Sequence, residues 1–138
     1  MAFKLDFTKL NRPRSAEEIE ADYQAERATA RIADAKKREE FSKKTVVITI
    51  TEVEARHTMA GGREIHIWGT QANGRATRAK LYFAECYDRE VADPIFEDLY
   101  DNRGTRTIHG YWKPYTNAAG KTFFTFNAQK IDRITIPA

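Results

Sequence analysis

Asn73-Gly74 stands between two runs of alternating apolar and polar residues, Arg63–Thr70 and 76–84. Asparagine and glycine tolerate the positive φ of a tight hairpin turn, so the pair predicts two antiparallel strands folded onto each other. One face then reads Ile65, Ile67, Gly69, Ala79, Leu81 and Phe83; the other reads His66, Trp68, Arg78, Lys80 and Tyr82. A sheet resting on a core needs only one oily side. Trp68 and Tyr82, set among cations on the other side, call for a second explanation.

The chain has 138 residues, a single domain by size with room for an appended arm. Its net charge of +3 permits a nucleic-acid partner without demanding one. One cysteine, Cys86, excludes an internal disulfide and any Cys-rich zinc site, and fits a reducing compartment. No signal peptide and no apolar run of spanning length is evident, so the expectation is a cytoplasmic protein without a membrane partner.

Residues 1–44 differ from the rest. Phe3, Leu5 and Phe7 alternate in an arm that stops at Pro13, and Ser15 with Glu18 has the spacing of a capping box. From Ala16 to about Ser42 the residues are strong helix formers with a thin apolar stripe of Ile19, Tyr23 and alanines. Either a solvated, frayed helix or an arm that docks on a second copy or another protein fits this stripe. From Thr45 onward, residues 45–138, the pattern changes to strands. "TVVITITEVEAR" alternates, and the hairpin supplies strands two and three. Asp93 and Pro94 then suit a helix start, with Gly104 at its end. Strands follow at about 105–113 and Thr122–Ile131.

Five strands with one helix between the third and fourth is the pattern of an OB-fold, a Greek-key barrel. The expected fold is therefore mainly β, a five-stranded barrel plus a long N-terminal helix. An open α+β sheet is the alternative. Alternation points Ile108, Gly110 and Trp112 inward, with His109, Tyr111 and Lys113 outward. On strand five it points Phe124, Phe126 and Ala128 inward, with Phe123, Thr125 and Asn127 outward, and Tyr115 at the loop tip. Charge is segregated too. Between Arg56 and Ala84 five cations face the lone acid Glu64, whereas 85–101 carries seven acids against Arg89.

Phosphates attract cations and unpaired bases attract flat rings, so this interleaving suits a single-stranded nucleic acid. The candidate binding residues are His66, Trp68, Arg78, Lys80, Tyr82, Tyr111, Lys113, Tyr115 and Phe123. The competing explanations are cross-strand packing of arginine stems on rings, or a face covered by the N-terminal helix or by another subunit. The scattered histidines His57, His66 and His109 have no metal-ligand spacing, "GG" at 61–62 precedes a strand, and the acids do not cluster on the binding face. No catalysis, metal or cofactor is expected.

"EDLYDNRGTRTIHGYW" and "GKTFFTFNAQKI" resemble the bacterial single-stranded-DNA-binding protein family, with counterparts at Gly104, Gly110, Tyr115, Phe126, Ala128 and Ile131. The resemblance covers about ninety residues from Thr45 onward. It implies an OB-fold, single-stranded DNA rather than RNA as partner, and a dimer or tetramer formed through strand one. Residues 1–44 before the first strand, Thr125-Phe126 in place of Thr-Glu, and an end at "DRITIPA" without the family's flexible acidic-tipped tail depart from it. These departures suggest a specialised relative acting on plasmid or phage DNA. The alternatives are a protein-interaction module that uses the N-terminal helix and aromatic face, or a binder of single-stranded RNA.

Overall fold

The computed structural model describes residues 13–138, so the arm with Phe3, Leu5 and Phe7 lies outside the described residues. In chain order come α1 (Ala16–Glu40), β1 (Lys44–His57), β2 (Arg63–Thr70), β3 (Ala76–Phe83), a 3₁₀ turn (Glu85–Tyr87), α2 (Asp88–Asp101), β4 (Thr105–Thr116) and β5 (Thr122–Ile131). The protein is mainly β. Its strands neighbour one another as β1-β2-β3-β5-β4, and β4 returns to β1, so the sheet closes in a ring. Every pairing is antiparallel except β3 with β5, which join through Ala79–Phe126, Lys80–Asn127 and Leu81–Ala128. The open-sheet alternative is set aside.

Closure depends on β1. Residues Lys44 to Thr49 pair with β4, and Thr49 to His57 pair with β2. A register shift between Ile50 and Glu52 lies at the start of the β2-paired stretch, just after the strand changes partner. A bulge bends and twists its strand, which lets one strand serve two sides of a small ring. It also moves the buried face from even to odd positions: Val46, Ile48 and Ile50 point in, and then Val53 does. Gly69 lies opposite the bulge, where an added Cβ would come 2.3 Å from both Ile48 Cγ2 and Thr49 O. No side chain fits there.

The interior holds Ile65, Ile67, Leu81, Phe83, Ile108, Phe126 and Ile131, and Ala92, Ile95 and Leu99 of α2 belong to the same core. Three expectations change at this level. The hairpin loop has positive φ only at Gly74 (82°), not at Asn73. Gly74 N–H donates to Gln71 O and Gln71 N–H to Arg75 O, a three-residue loop closed by a left-handed glycine. Helix α2 begins at Asp88, ahead of the expected Asp93 cap; Asp93 lies inside it and pairs with Arg63 of β2, and Pro94 also sits inside the helix. Phe124 has inward parity but is 56% exposed. The β4–β5 hairpin runs past the ring, so its inner face there overhangs open space.

Helix α1 lies on its own sheet. Ser15 Oγ accepts from Glu18 N–H at 3.1 Å, as the capping spacing predicts. Arg27 and Arg31 donate to Cys86 O, Tyr23 donates to Glu85, and Lys130 pairs with Glu39. Only Arg38 of the helix is buried. Its Nη2 donates to Tyr82 O at 2.5 Å, its Nη1 to Gln129 O at 3.2 Å, and its Nε to Asp34 at 2.6 Å. Tyr82 and Gln129 lie just beyond the three parallel pairs of β3 and β5. One guanidinium thus bridges strands whose own ladder has ended. The helix is held by arginine donors on carbonyls, which explains its thin apolar stripe.

Among the described residues no helix is long and apolar enough to cross a membrane.

Candidate nucleic-acid interface

The outer wall of β2 and β3 carries three directly opposed pairs: Trp68 with Arg78, His66 with Lys80, and Glu64 with Tyr82. The overhanging β4–β5 hairpin stands beside this wall because β5 neighbours β3. Between them lie three adjoining depressions. The first, about 600 Å³, is lined by Trp68, Gly69, Arg78, Tyr115, Phe123 and Phe124. The second, about 380 Å³, shares Arg78 and Tyr115 and adds Arg56, Lys80, Lys113 and Asn127. The third, about 250 Å³, shares Lys80, Lys113 and Asn127, adds Tyr82 and Tyr111, and meets Asp34 and Arg38 of α1. Shared walls make them one groove. It is aromatic at the hairpin end, cationic in the middle, and bounded by the helix at the other end.

The expected residues fall along it as follows. Tyr115 is 62% exposed, with Tyr82 at 42% and Phe123 at 45%, and Lys113 also faces solvent. Lys121 lies over the Phe123 ring. Trp68, Arg78 and Lys80 are half-buried. Tyr111 is half-buried as well, because Phe41, just after α1, packs against its ring and Asn127 donates to its hydroxyl. Neither Trp68 nor Tyr82 lies in the interior.

His66 lies on the outer face, where alternation puts it, but it is only 3% exposed and is not open to a ligand there. Its Nε2 meets Glu64 at 2.9 Å, its Nδ1 accepts from Arg78 at 2.5 Å, and its ring stacks beside Trp68 at 5.8 Å. Long neighbours in the outer layer have closed over it. Its part is to position Arg78 and Trp68. Alternation cannot show such crowding, because it reports the side of a sheet and not what lies on top.

Residues outside the candidate set also line the groove, among them Phe124, which parity points inward, and Arg56, which the sequence shows only as a charge. Asn127 was placed outward without a role; it lines the cationic stretch. A strand-five register that continued past the ring would have shown the first.

Burial holds the His66 imidazole below its ordinary pKa of 6.5, against the Glu64 hydrogen bond and with help from the Arg78 and Arg56 charges. For Glu64, burial pushes the carboxyl up, but His66 and Lys80 outweigh it and leave the group below its ordinary value. The hydrogen bond from Arg56 likewise holds Glu54 down. An expected result follows for His66, which faces Glu54 and Arg56 of β1, its neighbour Glu64, and Arg78 and Lys80 of β3. Just below pH 6.5 the unfolded chain binds this proton and the folded chain does not, so stability falls as pH drops through that window. Urea midpoints compared at about pH 7.5 and about pH 5.5 should differ, and His66→Gln should flatten the difference. An unchanged slope in the variant would refute this coupling.

Cys86 is buried near α1, where burial raises its thiol, and its carbonyl anchors the helix. Burial, together with its hydrogen bond to Asp34, pushes the Tyr87 hydroxyl up to about 12. Among the described residues no group of three or more His, Cys, Asp or Glu side chains is placed to hold a metal ion.

Comparisons with protein-family models, with curated proteins and with solved structures found no match for this chain.

Proposed function

We propose that the closed ring is an OB-fold barrel and that its outer groove binds single-stranded DNA without catalysing a reaction on it. The strand order, the parallel β3–β5 pairing and the helix between β3 and β4 support the fold. The single observation that carries the function is the continuity of the groove: rings at one end run without a break into Arg56, Arg78, Lys80 and Lys113. Bases would stack on Tyr115, Phe123 and Trp68 while the cations hold the backbone, a mode tolerant of sequence because every base has a π-face. The choice of DNA over RNA and the homo-oligomer rest on the family resemblance, and the plasmid or phage setting on the departures from it at residues 1–44 and Thr125-Phe126. A second reading, assembly with another protein chain, is favoured by Ile19 and Ile32, both more than half exposed on α1.

Adding long oligothymidine at low salt should quench Trp68 emission. The affinity should fall with salt at a log–log slope of about −0.7 per phosphate neutralised. Unchanged emission together with no salt-dependent retention would end the proposal. Competition between matched DNA and RNA oligomers then decides the nucleic acid, since the 2′-hydroxyl is what separates them. Scattering measurements with no oligomer present test the assembly reading separately.

A further inference from the structure

Arg78 holds three positions at once. Its guanidinium lies over the Trp68 ring, 5.5 Å from the centroid, and its Nη2 donates to His66 Nδ1. Its Nε is buried and has no hydrogen-bond partner. A buried N–H without an acceptor is unfavourable, and a cation over a partly exposed indole is held more weakly than a stacked base. The residue also lines both the aromatic end of the groove and its cationic middle.

We infer that Arg78 is a removable cover for Trp68, exchanged for a nucleobase when a strand binds. The base takes the indole face, and the freed guanidinium turns into the groove, where Nε and an Nη donate together to the phosphate of that nucleotide. His66 parks the cover in the empty protein, because its unprotonated Nδ1 is the only acceptor Arg78 has there among the described residues. The inference rests on the groove reading above and adds an order of events to it. A lysine cannot do the same: it lacks the planar fork that bridges ring, imidazole and phosphate in turn.

The test uses the full chain with Trp112→Phe, so that Trp68 is the single indole. Acrylamide quenching of the protein alone should be stronger in Arg78→Ala than in the parent, as the uncovered ring meets solvent. With oligothymidine bound, the salt slope of Arg78→Ala should be shallower by about 0.7, the share of one phosphate. Arg78→Lys should restore the slope but not the shielding. Equal quenching of the two proteins alone overturns the exchange, since Arg78 then covers nothing. An unchanged slope in Arg78→Ala also overturns it, since Arg78 then reaches no phosphate; in that case the groove still binds and the broader reading stands. A parent protein that binds no oligomer removes the exchange and the groove reading together.

Discussion

Arg38→Ala should lower the unfolding free energy by about 3–5 kcal/mol, the cost typical of breaking a buried ion pair from one side. The side chain is 6% exposed and its partner Asp34 23%. Its removal strands the Asp34 carboxylate beside Tyr87 and takes the donor from both Tyr82 O and Gln129 O. It also lifts the cation from the Phe83 and Tyr87 rings, whose centroids lie 5.4 and 5.7 Å from it. These losses fall where the β3–β5 ladder has ended, so the ring should open there first. Urea denaturation gives the magnitude, and amide exchange at Tyr82 and Gln129 gives the place. A double cycle with Asp34→Asn separates the pair from the carbonyl contacts. A loss under about 1 kcal/mol, the worth of an exposed ion pair, would mean the guanidinium is not the seam's closure.

The second large effect concerns binding. Trp68→Ala and Phe123→Ala should each weaken the complex by about 1–3 kcal/mol, the range for one stacked base. The two residues line one depression, so the combined loss need not be the sum. Additivity would give about 2–6 kcal/mol, roughly 30-fold to 10⁴-fold in the dissociation constant. Because Phe123 is 45% exposed, its truncation should leave the melting transition almost in place. Full affinity in the double variant, with the fold intact by circular dichroism, would show that the aromatic end is not where bases sit.

The two results draw on different parts of the chain, and those parts were unequally legible. The strands could be read because alternation and β-branching are local properties: β2 and β5 match their expected spans, and β3 ends within one residue of its own. The buried set Ile65, Ile67, Leu81, Phe126 and Ala128 follows from the same alternation. Val53 and Phe124 do not, since a bulge and an overhang change parity or exposure without marking the sequence. Helix α1 was visible as a helix, but its dock was not. Hydropathy counts apolar positions, whereas Arg27, Arg31 and Arg38 bind by aiming donors at carbonyls fifty or more residues away, or in one case at Tyr82.

The candidate groove divides in the same way. That Trp68, Arg78, Lys80 and Tyr82 share an outer wall was settled by their order along the chain, because a strand has period two and a hairpin sets the register. That this wall faces Tyr115, Phe123 and Phe124 across a groove was decided by closure of the ring, which brings β5 beside β3. That His66 is enclosed was decided there as well, by side chains from three strands crowding one place. Local periodicity is written residue by residue; enclosure is a property of surfaces that meet only after the chain has folded.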